Sequence, residues 1–305
     1  MIIDIHTHLG DILHPNGGLL INKKNVRKKI FYDVISHSEL MLHSGIPGRM
    51  EEWFYQKLYS LVTRASRARN ATATLENMRR SMDEAGISMS VCLPIPPYLT
   101  FDDLQKAREQ EPRVIPFTGV DYTKDDGMIA SDLNNDVKQG AKGLKLHPII
   151  QRVSLNDRRT FSAVEVFSAH QLPVLFHCGV SSYYLEPEKQ SREDAALGEI
   201  FYARDLVAAF PDVTFIAGHA GLFKYRDVIE LLSRFKNVMV DTSVQSPGHV
   251  RELITAFGPE RVMYASDWPY GNRIPAIKIV KKACKGDNGL EKRILFENAA
   301  AMLKL

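Results

Sequence analysis

The feature that most constrains the fold of this 305-residue chain is a repeated pattern: apolar, strand-like runs end in a histidine or an aspartate. The opening run carries His6 and His8, and later runs end at His177, His219 and Asp267. Alternate residues of a strand face the same side, so His6 and His8 are expected to point the same way. If the strands lie side by side and parallel, these five side chains should converge at one edge of the sheet.

Strand and helix patterns alternate along the rest of the chain. After the opening run, strands are predicted at 88–93, 114–120, 141–147, 172–177, 213–219, 237–241 and 262–266. Helices are predicted between and after them, at 72–86, 101–111, 126–139, 158–171, 197–210, 225–235, 249–257 and 273–285. This alternation predicts an α/β fold, a (β/α)8 TIM-like barrel with its active site at the carboxyl ends of the strands. An open doubly wound sheet is the alternative, although no GxGxxG or P-loop motif follows the first strand.

The stretch from residue 10 to residue 70 interrupts this alternation within a single predicted domain, 1–305. Apolar residues recur at helical spacing around 26–35 and again around 53–62, and a Gly/Pro-containing segment at 44–48 separates the two stripes. We therefore predict a helical insertion after strand 1. Its apolar stripes are expected to cover the pocket mouth or to form a homodimer contact, burying Trp53 and Phe54. Packing against the outer helices of the barrel is the alternative.

Composition and charge narrow the class of partner. Hydrophobic residues make up 45% of the chain, and 39 basic residues nearly balance 36 acidic ones for a net charge of +3. This balance argues against nucleic acid or a membrane as a partner and favours a small-molecule substrate. Three dispersed cysteines, no run of 18 apolar residues and a strand that begins at the N-terminus predict a cytoplasmic protein with reduced thiols.

The converging histidines and aspartate predict a metal site. Imidazole nitrogens and a carboxylate are ligands of Zn²⁺ and of similar divalent ions such as Mn²⁺. The alternative is a set of histidines at the barrel mouth that are satisfied by hydrogen bonds. Taken alone, Asp267 could instead cap a helix, because Trp268 and Pro269 follow it, and His219 could be a hydrogen-bonded turn residue between glycines.

The strand-end motifs resemble those of the amidohydrolase superfamily. They are Asp4-Ile5-His6-Thr7-His8, Phe176-His177, Gly218-His219-Ala220-Gly221 and Ala265-Ser266-Asp267-Trp268-Pro269. More narrowly, they resemble the amidohydrolase-2 branch, which includes aminocarboxymuconate-semialdehyde decarboxylase and related aromatic-acid decarboxylases as well as hydrolases.

The resemblance implies a role for each strand-end residue. His6, His8 and His177 would be metal ligands, and Asp267 would be a weak ligand that also acts as general base. His219 would bind or polarise the metal-bound water or the substrate. The branch usually works with one metal ion, so a single Zn²⁺ or other divalent ion is expected.

Further residues near the predicted rim could contact the substrate. Lys145 and His147 alternate on the fourth strand, so both are expected to face inward as pocket lining. In binuclear members of the superfamily a carboxylated lysine bridges two metals, and Lys145 could have this role. Alternatively, Lys145 could be an inward-facing lysine that is paired with a carboxylate such as Asp121 or Asp241. Asp241 is expected either to orient a ligand histidine or to cap a turn.

Arg192 and Trp268 complete the predicted substrate-binding set. Arg192 lies in the loop after the His177 strand and could bind a substrate carboxylate through two parallel hydrogen bonds. A solvated surface loop is the alternative for that segment. Trp268 directly follows Asp267.

Three functions remain open on the sequence alone. The leading prediction is a metal-dependent hydrolase that uses metal-activated water on an amide, lactone or ester of a small molecule. The alternative is a zinc-dependent, non-oxidative decarboxylase or lyase of an aromatic or muconate-type acid. A barrel that binds a ligand without turnover is the third.

Overall fold

Nine parallel strand segments form the centre of the computed structural model, which describes residues 1–44 and 48–305, without the side chains of 40–44, 48–52 and 54–56. The strands are β1 (Ile3–Thr7), β2 (Met89–Cys92), β3 (Val114–Pro116), β4 (Thr118–Gly119), β5 (Leu144–Leu146), β6 (Val174–His177), β7 (Phe215–Gly218), β8 (Val238–Asp241) and β9 (Val262–Met263). They pair in the orders β1-β2-β3 and β4 through β9, and every pair is parallel.

The strands follow one another around a ring. Only Phe117 separates β3 from β4, so the nine segments occupy eight strand positions. No regular ladder joins β9 to β1. Instead, Ile5 N donates to Tyr264 O at 3.3 Å and Asp267 N donates to His6 O at 2.9 Å. This sequential order has no reversal point, so it matches the predicted barrel and excludes the doubly wound alternative.

Helices separate the strands as predicted. They are α1 (Val34–Ser44), α2 (Gly48–Asn70), α3 (Leu75–Ala85), α4 (Phe101–Gln110), α5 (Asp126–Lys138), α6 (Pro148–Gln151), α7 (Arg158–Ser168), α8 (Lys189–Arg192), α9 (Ile200–Ala209), α10 (Tyr225–Leu232), α11 (Pro247–Phe257), α12 (Arg273–Cys284), α13 (Asn288–Lys292) and α14 (Asn298–Leu303). Local signals fix many ends. The Thr74 hydroxyl caps α3 by accepting from Asn77 N, and Gly86 ends it in the left-handed region.

The barrel interior below the site is apolar. Ile3 and Ile5 of β1 pack in one buried cluster with Leu175 and Ile216, and Leu303 of α14 joins them. The prediction stopped at residue 285 and missed this C-terminal segment. The pairing of β1 with β2 shifts register between Asp4 and Thr7. This irregularity lets Ile5 and the next residue, His6, both face the interior.

The insertion contains two described helices, α1 and α2. The first is shorter than the predicted stripe because Asp33 Oδ1 accepts from Ile35 N at 3.1 Å, which starts the helix there and leaves residues 26–33 non-helical. Trp53 is 56% exposed, so its expected burial is not found within this chain. Phe54 lies outside the described side chains.

The C-terminal part of α2 is bonded to two loops at the site's rim. Arg69 Nη1 donates to Tyr270 O at 2.6 Å, and Arg67 Nη1 donates to Glu188 Oε2 at 3.0 Å. Thr63 Oγ1 also donates to Ser182 O at 3.4 Å. The insertion therefore contacts the loops that follow β6 and β9. Among the described helices, none is long and apolar enough to cross a membrane.

Candidate metal centre

Four strand-end side chains, which we call the ligand cluster, meet inside the barrel: His6, His8, His219 and Asp267. One potential ligand atom from each of His6, His219 and Asp267 lies within 4.8 Å of the others. Asp267 Oδ1 is 3.5 Å from His8 Nε2 and 3.8 Å from His6 Nε2. All four residues are buried.

The hydrogen bonds of His6 and His8 determine which ring nitrogen can act as a ligand. His8 Nδ1 lies 3.0 Å from Leu93 O, and a carbonyl oxygen can only accept, so Nδ1 carries the proton. His6 Nδ1 lies 2.8 Å from Asp241 Oδ2 and donates in the same way when that carboxylate is ionised. Both rings then carry their proton on Nδ1, and their Nε2 lone pairs are directed toward Asp267. Metal-binding histidines likewise donate one ring N–H to a carboxylate or carbonyl oxygen and bind the metal through the other nitrogen.

Asp241, at the end of β8, orients two histidines at once. Besides bonding His6, its Oδ1 accepts from His219 N at 3.0 Å and from the Ser243 hydroxyl at 2.5 Å. Because the serine donates its proton to Asp241, its oxygen accepts from His219 Nδ1, 2.8 Å away. The Nε2 of His219 therefore keeps its lone pair. Asp241 makes both contacts that the sequence left as alternatives, one to the predicted ligand His6 and one to the turn, where its Oδ1 accepts from Ser243 N at 2.9 Å.

The backbone at Asp267 is held in an uncommon conformation. Its φ is 59°, and that of His219 is 57°, both in the left-handed region that non-glycine residues rarely adopt. Asp267 N donates to His6 O and Gly271 N donates to Asp267 O, each at 2.9 Å. The helix-cap alternative for Asp267 is wrong, because α12 begins at Arg273 and Asn272 is its N-cap residue.

The chemistry of the cluster fits a divalent cation. Asp267 Oδ1 is buried and has no hydrogen-bond partner in the described part of the chain, an arrangement that costs free energy unless a cation or proton compensates it. Burial raises the pKa of Asp267 well above its usual value, and Lys145 opposes this shift. Burial also lowers the pKa values of His6, His8 and His219 well below 6.5, which keeps the imidazoles neutral, as ligands must be.

Lys145 lies beside the cluster, as its predicted inward direction requires. Its Nζ is 3.2 Å from His6 Nε2, and its side chain is buried. Burial lowers the pKa of Lys145 to about 8, against the opposing charges of Asp267 and Asp241. Asp241, one of the two suggested carboxylates, contributes to this opposing charge after Asp267, which the sequence did not suggest as a partner. Whether the lysine is carboxylated stays a prediction.

A second group, which we call the rim array, lies beside the cluster: His147, His177, Ser181 and Tyr183. The Tyr183 hydroxyl is 3.1 Å from His147 Nε2, 3.0 Å from Ser181 Oγ and 3.4 Å from His177 Nδ1. His177 Nε2 lies 2.9 Å from Gly179 O. The rings of His177 and His219 are 5.1 Å apart, so the predicted ligand His177 borders the cluster while both its nitrogens face the loop after β6.

Arg192 and Trp268 lie apart from the cluster in the described contacts. The Arg192 guanidinium is 5.6 Å from the centre of the Tyr184 ring, and its Nη1 is 3.5 Å from Leu13 O. The Trp268 ring is buried against the guanidinium of Arg273. Their substrate-binding roles remain untested.

Sequence reasoning missed the part played by two side chains near the cluster. Ser243 links Asp241 to His219, and Tyr183 links His147 to His177. The polar residues that directly follow the β8 strand end were the only sequence signal for Ser243. The sequence placed Tyr183 in the loop after the His177 strand, at the predicted rim, but its contacts with His147 and His177 depend on the course of that loop.

Comparisons with known proteins place this architecture in a family. A family model described as Amidohydrolase, that of the amidohydrolase-2 family, matches residues 3–305. No curated protein matches the sequence.

Several solved structures share the fold at low sequence identity. An uncharacterized TIM-barrel protein from Bordetella bronchiseptica is 14% identical, covers 99% of this chain and 98% of its own, and has a TM-score of 0.67. A 5-carboxyvanillate decarboxylase from Novosphingobium aromaticivorans, complexed with manganese and a nitrobenzoic acid, is 15% identical, with coverages of 100% and 96% and a TM-score of 0.66.

A probable 2-pyrone-4,6-dicarboxylic acid hydrolase from Acinetobacter baumannii is 14% identical, with coverages of 100% and 99% and a TM-score of 0.58. Further decarboxylases of aromatic acids occur among the similar structures. These likenesses support the TIM-barrel fold. Because the family model spans residues 3–305 and the strand-end motifs meet at one site, the chain belongs to the amidohydrolase-2 family.

Proposed function

We propose that this chain is a divalent-metal-dependent enzyme that removes carbon dioxide from a planar, unsaturated carboxylic acid. The observation that carries the metal requirement is Asp267 Oδ1, a buried carboxylate oxygen without a hydrogen-bond partner among the described residues. Beside it, His6, His8 and His219 each have one nitrogen bonded to the scaffold. The Nε2 atoms of His6 and His8 lie near Asp267 Oδ1, and that of His6 would exchange its contact with Lys145 Nζ for the metal. These four residues would hold one Zn²⁺ or Mn²⁺.

The choice of decarboxylation over hydrolysis rests on the kind of protein that shares this barrel. Most of the similar enzymes are decarboxylases, named for 5-carboxyvanillate or for 2,6-dihydroxybenzoate. The hydrolase among them is named for a pyrone dicarboxylic acid. A flat ring that carries a carboxylate is common to both, and we assign this substrate class to the present chain.

The bound ion would act as a Lewis acid toward the oxygen atoms of the substrate. Asp267 would hold a proton on the carboxyl oxygen that does not serve as a ligand and deliver it to the ring carbon that bears the carboxylate. The bond from that carbon to the carboxylate then breaks, its electrons return to the ring and carbon dioxide leaves. One proton is consumed per turnover, and water reprotonates Asp267. His219 Nε2 and the rim array would orient the ring.

Hydrolysis of a lactone or ester is the second candidate, because the same carboxylate can work in its ionised form. Asp267 would accept a proton from the water that adds to the substrate carbonyl and pass it to the leaving oxygen. The two reactions therefore need opposite protonation states of Asp267 at the start of the cycle. Activity should fall as pH rises through the pKa of Asp267 for decarboxylation, and rise for hydrolysis.

Isotope labelling separates the two reactions. Mn²⁺- or Zn²⁺-loaded protein would be incubated with hydroxybenzoic acids, pyrone carboxylic acids, lactones and esters. In D₂O, decarboxylation places one deuterium on the carbon that lost the carboxylate. In H₂¹⁸O, hydrolysis places ¹⁸O in the new carboxylate. Asp267→Asn and metal-stripped protein are the controls. Ring deuteration that needs both Asp267 and metal supports the proposal, whereas ¹⁸O incorporation alone supports the second candidate.

A further inference from the structure

A buried ion pair lies directly behind the ligand cluster. Arg273 Nε, on the first residue of α12, is 3.6 Å from Asp4 Oδ2 on β1, and both side chains are almost fully buried. The guanidinium lies over the Trp268 ring, 5.5 Å from its centre. Neither residue belongs to the ligand cluster.

Asp4 holds the residue that precedes Asp267. Its Oδ1 accepts from Ser266 N at 3.0 Å, and its Oδ2 accepts from the Ser266 hydroxyl at 2.5 Å. The same hydroxyl oxygen accepts from Trp268 N at 3.1 Å. Asp4 therefore fixes one neighbour of Asp267 directly and the other through Ser266.

These bonds lie where β1 meets the Asp267 turn. Asp4 precedes His6 by two residues, and the turn is bonded to β1 through Asp267 N to His6 O at 2.9 Å and His8 N to Trp268 O at 2.7 Å. The left-handed backbone at Asp267 is disfavoured and needs surrounding contacts to persist. A change at Asp4 would alter the position of Asp267 relative to His6 and His8 together.

We propose that Asp4 and Arg273 are positioning residues that set the placement of Asp267 against His6 and His8, and through it the affinity of the site for a divalent metal. This inference rests on the proposed metal site. Asp4 and Arg273 would then contribute to metal affinity as well as to the stability of the fold.

Arg273 and Asp4 are each other's oppositely charged partner in the buried interior. A guanidinium keeps its proton in proteins, and none of the three Arg273 nitrogens has a hydrogen-bond partner among the described residues. Asp4 is the carboxylate within ion-pair distance of it. Removing one partner of a buried pair leaves an uncompensated charge, here beside the turn that carries Asp267.

The test measures Mn²⁺ binding to the metal-stripped, full-length protein from the electron paramagnetic resonance signal of free Mn²⁺. Asp4→Asn should weaken Mn²⁺ binding about 10- to 100-fold, the range seen when residues that orient ligands are changed. Arg273→Lys keeps the charge and should bind Mn²⁺ more tightly than Arg273→Met. The matched control is Glu111→Gln, which also removes a buried carboxylate paired with arginines, Arg79 and Arg113, away from the cluster. It should lower Tm and leave Mn²⁺ affinity unchanged.

A double variant separates positioning from folding. Asp4→Asn with Arg273→Met removes both charges, so it should regain Tm relative to Asp4→Asn without regaining Mn²⁺ affinity. If Asp4→Asn does not fold, Ser266→Ala breaks the same link and should also weaken Mn²⁺ binding.

The outcomes that overturn the inference are distinct. If Asp4→Asn, or Ser266→Ala in its place, lowers Tm but binds Mn²⁺ like the wild type, then Asp4 and Arg273 only stabilise the fold. This result overturns the present inference and leaves the proposed function standing. Wild-type protein that binds neither Mn²⁺ nor Zn²⁺ overturns the proposed metal-dependent function and this inference with it.

Discussion

The ligand cluster and the rim array lie side by side, but the molecule holds them in different ways. In the ligand cluster, the groups that orient the rings come from strand ends: Asp241 of β8 bonds His6, and Leu93, which follows β2, bonds His8. In the rim array, both nitrogens of His177 face Gly179 and Tyr183, residues of the loop after β6. Strand ends are placed by the barrel itself, whereas a loop can adopt more than one course.

This difference assigns separate tasks to the two groups. Ligands oriented by the scaffold are prepared for a metal ion before anything binds, because their tautomers and directions are already fixed. Side chains oriented by a loop can adjust to a substrate. Changes in the cluster and its supports should therefore act on metal binding and chemistry, while changes in the rim array should act on substrate binding.

The largest effect is expected from a substitution that removes the proton transfer but leaves the other residues of the ligand cluster in place. Asp267→Asn removes the carboxyl that transfers the proton, so kcat should fall about 10²- to 10⁴-fold. His6, His8 and His219 remain, so most metal binding should be retained. Steady-state kinetics and metal analysis of the same preparation measure both quantities. A variant with near-normal kcat would remove Asp267 from the proton transfer.

The next effect tests whether the scaffold orients the ligands. Asp241→Asn can no longer accept from both His6 Nδ1 and the Ser243 hydroxyl as a carboxylate does. Mn²⁺ affinity should fall about 10- to 100-fold, as expected for a residue that orients ligands. Calorimetric titration of metal-stripped protein measures the change. Unchanged affinity would show that the cluster does not depend on Asp241.

A smaller effect is expected from the rim array. Tyr183→Phe removes the hydroxyl near His147, Ser181 and His177. A neutral hydrogen bond contributes about 0.5–1.5 kcal/mol, so kcat/KM should fall roughly two- to twelvefold. Mn²⁺ affinity should change much less than in Asp241→Asn, because this hydroxyl bonds three residues of the rim array. A loss of Mn²⁺ affinity equal to that of Asp241→Asn would erase the distinction between the two groups.

The smallest effect concerns the scaffold outside both groups. Burial raises the pKa of Asp136 to about 6, opposed by its hydrogen bond from Thr118. Between pH 3.8 and 6 the folded chain therefore binds more protons here than the unfolded chain, so stability falls as pH rises through this window. Asp136→Asn has no carboxyl at this position, so its stability should not show this fall.

Thermal unfolding from pH 4 to pH 7 measures the effect. The Tm of Asp136→Asn relative to the wild type should increase up to about pH 6 and then level off. Metal affinity and kcat should match the wild type. A Tm difference that stays flat with pH would contradict the raised pKa.

Much of the fold could be predicted because its signals are local. Apolar runs marked the strands, and Thr74 and Gly86 marked the ends of α3. The interruption at Phe117 and the register shift in β1 could not be predicted, because each depends on how one strand pairs with its neighbours. The C-terminal helices were missed because their segments are short, and Leu303 is buried only by contact with the distant β1.

The positions of the site residues could be predicted from local strand patterns, but the contacts of their side chains could not. Strand ends carried His6, His8, His219 and Asp267 to one place, as period-two geometry requires. The directions of the side chains depend on partners far along the chain. The Trp268 ring packs against the Arg273 guanidinium, for example, and no local pattern around Asp267 indicated this contact.

Anomalous diffraction from crystals of this 305-residue chain grown with Mn²⁺ tests the metal site directly. We expect one strong anomalous peak per chain among His6, His8, His219 and Asp267. A fully occupied Mn²⁺ site elsewhere, or no anomalous peak at these residues under conditions where binding is saturated in solution, would contradict it.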